Sequence, residues 1–427
     1  MAATGILCFS IFGWILTLSL EKTAMFRTQK PLFFSVFLIW GVIFLAPGSF
    51  AAGQTTVTPY IDTTFAIDSN FHKAEGGERT VHTYSTNPGI AFGYAADKTH
   101  LNFDYGVDII RYDDQDTVPA GERKASDFDF ESHKATLTSS SQVTDKIRLG
   151  LDGFYWVTQD PSSADAFSNG VDRFEYDLSS ISPTLLVKFA KKFGAGLGYS
   201  YQNTDFKDDD LGFGEDDTEH RGIFDLWYYM DAATSFDLNY QYWQKDYDSV
   251  TSDYDSQQVM LKVNHQLKFL TFSGGFGYHD RQFEKTTHED FGGVVWQASV
   301  AGQKPEGQGL PPKYSVFIGV GQDYNSAGSG ESYFTATHMN AVLTYLLYDR
   351  LNLTFDGNYQ NSDYESGARE DDAWDISLAA DWLANKYVTI GVKGAYAERD
   401  SNTTGKNFSN EYAMVHIKLN TDIVSTK

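Results

Sequence analysis

Three tryptophans, Trp156, Trp227 and Trp243, stand among carboxylates, amides and basic residues that recur at every second position. Arg148 and Asp152 lead to Trp156, Asp225 leads to Trp227, and Asp237, Asn239, Gln241, Trp243 and Lys245 form one unbroken alternating set. Gln258, Lys262 and Asn264 follow, then Asp356, Asn358 and Gln360, then Asp375, Asp381 and Lys393. Indole faces stack on sugar rings, while amides and carboxylates exchange hydrogen bonds with hydroxyls and water. The chemistry these residues could do is recognition of a passing hydrophilic molecule. Covalent chemistry has no comparable signal: G-x-S-x-G, H-E-x-x-H and P-loop motifs are all missing from the sequence. The 10 histidines have no paired spacing, so neither a metal site nor a cofactor is expected. A hydrolase at a channel rim would have to use the serine-rich stretch 136–142 with His133 or His338.

The elements that carry these residues have a period of two. In 351–364, Leu351, Leu353, Phe355, Gly357 and Tyr359 alternate with Asn352, Thr354, Asp356, Asn358 and Gln360. Stretches 99–112, 145–158, 234–247 and 386–399 repeat the pattern. Each reads as a strand with one apolar and one polar face. About eighteen such strands fit between Val57 and Leu419, joined alternately by short turns and long acidic loops, which is the pattern of an outer-membrane barrel. The expected fold is therefore all-β: a closed antiparallel transmembrane barrel with short periplasmic turns and long extracellular loops. Closure removes the sheet edges, lipid meets the apolar face, and the polar face lines a lumen. Tyr199, Tyr201, Tyr240, Tyr242, Tyr278 and Tyr359 fall on the apolar face near the long loops, where an aromatic girdle belongs.

Composition agrees with that reading. Aromatic residues make up 15% of the 427 residues, with 37 Gly and 10 Pro. A net charge of −24 argues against a nucleic-acid partner. The single cysteine, Cys8, lies in a first apolar run. Residues 1–24 read as an over-extended start or an extra apolar segment. Residues 25–51 read as a signal peptide, with a basic start after Met25, a long apolar core and a small-x-small site at Ser49–Ala51. Residues 52–427 are then the barrel.

Three stretches also resemble a known family. Residues 57–116, with "DSN" and "IIRY", 128–161, and 388–419, with "RDSN" and an aromatic-rich last strand, are similar to the opening, second and closing hairpins of the beta-barrel porin 2 family. That family comprises outer-membrane barrels linked to exopolysaccharide export. The resemblance implies a non-enzymatic channel in the bacterial outer membrane, seated among lipid and lipopolysaccharide. It would pass a glycan chain handed over by a periplasmic polysaccharide-export protein, with the three tryptophans as a glide path. A diffusion porin for small molecules is the alternative, and a rim hydrolase the third. The last strand is expected to stop near Leu419, with Tyr412, Ile417 and Leu419 as its apolar positions.

Overall fold

The computed structural model describes residues 53–159, 175–207, 216–248, 251–285, 289–304, 312–325, 333–364, 369–421 and 424–426. The segments read as an extra start and a signal peptide lie outside these residues.

The chain runs as β1 (Gln54–Asp68), β2 (Val81–Ala96), β3 (Thr99–Asp114), β4 (Phe130–Thr144), β5 (Ile147–Thr158) and β6 (Tyr176–Lys188). It continues as β7 (Phe193–Phe206), β8 (Asp217–Tyr229), β9 (Thr234–Tyr247), β10 (Tyr254–Leu267), β11 (Leu270–Phe283) and β12 (Phe291–Lys304). It ends with β13 (Tyr314–Asn325), β14 (Phe334–Leu347), β15 (Leu351–Tyr364), β16 (Glu370–Asn385), β17 (Val388–Ser401), β18 (Phe408–Asn420) and β19 (Val424–Thr426). Each long strand pairs antiparallel with its neighbours in sequence, and β1 pairs with both β2 and β18, so the sheet closes on itself. The only helical turn among the described residues is the 3-10 segment Ala125–Phe128.

The strands span 12 to 16 residues, apart from β19. At about 3.3 Å per residue this suits a tilted crossing of a bilayer core. Among the described residues, connections alternate as the sequence suggests, from the two residues 97–98 to the fifteen of 115–129. Two short turns place non-glycine residues in the left-handed region: Lys268 at φ 54°, and Tyr348 and Asp349 at φ 51° and 58°.

β18 ends at Asn420, close to the expected Leu419, but pairing resumes after it as the unexpected β19, whose Thr426, Ser425 and Val424 oppose Thr55, Thr56 and Val57. The seam therefore extends to the first residues of β1. Tyr412 departs from expectation, because it opposes Asp68 on the face that carries Lys418, whereas Ile417 and Leu419 lie on the other face. The five-residue step from 412 to 417 changes parity, so one face cannot hold all three.

Candidate functional site: the inner wall

Residues directly opposite in an antiparallel ladder share a face, so the register fixes which side chains line the barrel. Trp227 opposes Asp237, and Asp225 opposes Asn239. Asp237 opposes Lys262, Gln241 opposes Gln258, Lys245 opposes Tyr254 and Ser235 opposes Asn264. Arg148, Asp152 and Trp156 share parity on β5, and their partners carry the same face through β6 and β7 to β8. Asn358 opposes Asp375, Asp356 opposes Ser377 and Asn352 opposes Asp381. Gln360 has the parity of Asn358, and Lys393 opposes Ala379. Following the ladders round the barrel brings every one of these candidates to a single face. The opposite face is apolar and exposed in the isolated chain: Leu261 is 53%, Phe276 63% and Leu378 66% exposed. Burial of Asp237 and Asn239 marks the polar face as the inner one.

Side chains on β8 and β9 form a directed chain. Arg221 donates through Nε to Glu219 Oε1 (2.9 Å) and through Nη1 to Gln241 Oε1 (3.1 Å). Gln241 Nε2 donates to Asn239 Oδ1 (3.0 Å), and Asn239 Nδ2 donates to Asp225 Oδ1 (2.7 Å). These are short, partly charge-assisted bonds, and their common direction fixes both amides. Lys245 pairs with Asp217 at 3.3 Å above this chain. On β15, Asn358 donates to Asp356 (3.0 Å) and Asp375 (3.3 Å), and Gln360 donates to Ser362 (2.9 Å).

The three tryptophans are unlike one another. Trp243 is buried, with the Arg221 guanidinium 4.3 Å from its ring and His279 meeting it edge-on at 5.0 Å. Trp156 donates from Nε1 to Ser132 Oγ (3.1 Å), and Lys134 Nζ lies 5.0 Å from its ring. Trp227 lies against β7, whose inward positions there are Gly194 and Gly196. A Cβ at Gly196 would come 2.7 Å from Trp227 Cη2, and one at Gly194 3.3 Å from Cε3. Absent side chains on β7 are what let this indole rest on the wall. Trp156 and Trp243 stand near the long-loop ends of their strands, and Trp227 stands near the short-turn end of β8.

A second inward cluster escaped the sequence reading. Tyr60 donates to Asp104 (3.0 Å), Lys418 Nζ lies 5.2 Å from the Tyr60 ring, and His416 sits between Asp62 (3.3 Å) and Asp381 (3.0 Å). Tyr60, Asp62, Asp104 and Lys418 help to line a cavity of about 490 Å³. Nothing local announces it, because it exists only where β18 closes on β1. Parity of Tyr60, Asp62 and Thr64 in β1 was the available signal.

At the long-loop end the inner face changes character. Arg281, 2% exposed, lies 4.0 Å from the Tyr254 ring and donates to Ser256 Oγ (3.0 Å) and the Tyr324 carbonyl (3.4 Å). Arg369 lies 4.3 Å from Tyr364 and Arg399 4.9 Å from Phe408. Phe71, Val81, Tyr112, Phe128 and Phe130 form a separate cluster at the long-loop ends of β2, β3 and β4. These aromatic and arginine side chains tie loops to the mouth. Outside, the tyrosine girdle lies where expected: Tyr199, Tyr240, Tyr242, Tyr278 and Tyr359 are exposed on the apolar face, and Tyr242 and Tyr359 reach Asp255 (3.1 Å) and Asp372 (2.6 Å). His133 lies on the serine-rich strand itself, but Ser139 is six residues further along it, out of the reach that a rim hydrolase needs in an extended strand. The histidine opposes Val107 on the outer face and bonds Tyr105 (3.0 Å). His338 faces inward and lies 3.9 Å from Asp323.

The family model described as "Putative beta-barrel porin 2" matches residues 46–421. The chain belongs to that family. This porin is a protein of the bacterial outer membrane. Its structure is similar to that of Acinetobacter baumannii OccAB4, at 11% identity and a TM-score of 0.45, covering 88% of this chain and 100% of that one. It is also similar to Pseudomonas aeruginosa OccK9 (OpdG), at 10% identity and a TM-score of 0.45, covering 86% and 98%. The structure of P. aeruginosa OccK2 (OpdF) in complex with glucuronate matches at 8% identity and a TM-score of 0.46, covering 87% and 99%. No curated protein matches this porin.

Proposed function

We propose that this porin is a diffusion channel for small hydrophilic solutes, with a preference for cations, and not a conduit for polysaccharide. One observation carries the reading: the tryptophans do not make a track. A glycan sliding through needs a succession of open, replaceable stacking faces. Here Trp243 is buried beneath Arg221, Trp156 is engaged by Ser132 and Lys134, and only Trp227 rests on bare wall. The inner wall offers carboxylates instead, among them Asp62, Asp104, Asp225, Asp237, Asp356, Asp375 and Asp381. Rings of carboxylates lower the barrier for positive charge. Chemistry on a substrate plays no part in this reading, and lipid with lipopolysaccharide would surround the outer face.

Planar-bilayer recordings test it. Open channels with a cation-selective reversal potential in a salt gradient are expected, together with liposome swelling by small solutes. A deletion strain should keep its surface polysaccharide and lose uptake of a small nutrient. Loss of the polysaccharide with uptake intact would favour the export that the family resemblance implies.

A further inference from the structure

Around Trp227 the wall is assembled in two rows. Gly194, Trp227, Asp237 and Lys262 stand abreast on β7 to β10, and Gly196, Asp225 and Asn239 lie beside them. The indole is half-buried against the two glycines, and the Asp237 carboxylate interacts with it. Asp237 is 8% exposed, and its Oδ1 has no hydrogen-bond partner. A buried carboxylate oxygen without a donor is costly, the more so when charged, so a missing donor is implied.

The character of that donor follows from the chain above the site. Arg221, Gln241 and Asn239 each direct one N–H group downward, and the run ends on Asp225 Oδ1. Within this run each amide oxygen is already an acceptor, so the end of the run is a carboxylate. What is left at the lower end is acceptor capacity on Asp225 and Asp237 beside an aromatic face. Lys262 offsets only one of the two negative charges. A sugar presents donors and acceptors in equal measure and would find few donors here. A planar cation rich in N–H groups meets all three features, because guanidinium stacks on indole and bonds carboxylates through two parallel donors.

We infer that Trp227, Asp225 and Asp237 form a lumen subsite for a small guanidinium- or ammonium-bearing solute. The inference rests on the diffusion-porin reading and deepens it by naming the solute class.

Methylguanidinium, added to the wild-type porin in planar bilayers, tests it, with glucose as the uncharged comparison. Methylguanidinium should interrupt the current, and glucose should not. Trp227→Ala should shorten the blocked dwell time about fivefold and Asp237→Asn about tenfold. Lys262→Gln, which removes the competing cation, should lengthen it. Insertion and a heat-dependent gel shift identify variants that have folded. If Asp237→Asn and Trp227→Ala block as wild type does, or glucose blocks and methylguanidinium does not, the subsite is wrong although the channel stands. If no open channel forms, the diffusion reading itself fails. Calorimetric titration of the detergent-solubilised porin still decides the subsite, because binding that Asp237→Asn abolishes supports it and absence of binding overturns it.

Discussion

The guanidinium of Arg221 lies 4.3 Å from the ring centre of Trp243, closing one of the surfaces on which a polysaccharide would have had to slide. Arg221 reaches Glu219 and Gln241 at the same time, so it is held over the ring by two partners.

Trp243 should therefore matter to stability more than to transit. Trp243→Ala removes a buried indole and should cost roughly 3–5 kcal/mol. Reversible unfolding in lipid vesicles measures this. A variant as stable as wild type but altered only in dwell times would show that the ring is a contact surface after all.

The two faces of β10 should respond oppositely to charge. Leu261 points outward near mid-strand, so Leu261→Arg should cost ~2–4 kcal/mol in a bilayer. Gln258→Arg points inward and should leave folding near wild type while reducing cation preference. Equal losses in the same vesicles would contradict the register.

The mouth should depend on its buried arginines. Arg281→Ala removes bonds to Ser256 and Tyr324 and the contact with Tyr254, and should destabilise by on the order of 2–4 kcal/mol. Arg111, about half exposed beside Asp129 and Glu131, should give less than ~1 kcal/mol on the same change. Protease cleavage rates in the long loops would report the difference independently.

One turn should add a pH dependence. Asp231, between β8 and β9, accepts from the backbone N–H of Ala233 (2.8 Å) and Thr234 (2.7 Å). Those backbone bonds hold its carboxyl below the ordinary aspartate range. A depressed folded-state value means that the stabilisation is complete above the unfolded pKa, near 3.9, and is lost as pH falls through the folded value. The stability difference between wild type and Asp231→Asn should be constant above about pH 5 and shrink below about pH 4. A difference independent of pH would remove Asp231 as the cause.

Much of the barrel was legible because period two survives even where composition is mixed. Leu353 and Asn352 declare opposite faces with no knowledge of their neighbours, and a closed sheet then follows from the lack of anything to cover the apolar side. What could not be read was side-chain company. Trp243 and Trp227 have the same parity signal, yet Arg221 covers one and Gly196 underlies the other. That difference depends on β7 and β8, which lie outside the local window. Tyr412 was misplaced because aromatic character was weighed above parity. His133 and the serines looked like partners only because they are near in sequence, whereas Tyr105 from the adjacent strand takes the histidine. Asp62 and His416 are 354 residues apart, so no local pattern joins them.

That separation has a consequence for how the molecule comes together. Every hairpin in the barrel joins strands that are neighbours in the chain, but the β1–β18 ladder must bring in residues 354 positions distant. Closing so long a loop costs about 3 kcal/mol more in chain entropy than closing one of about ten residues. The seam is thus the last ladder to form, and β1 and β18 remain open edges until it does, each able to capture a strand from another chain. Continuation of the seam through Val424–Thr426, down to Thr55 at the start of β1, lengthens the final zipper. It adds backbone hydrogen bonds where the entropy of closure has to be offset all at once.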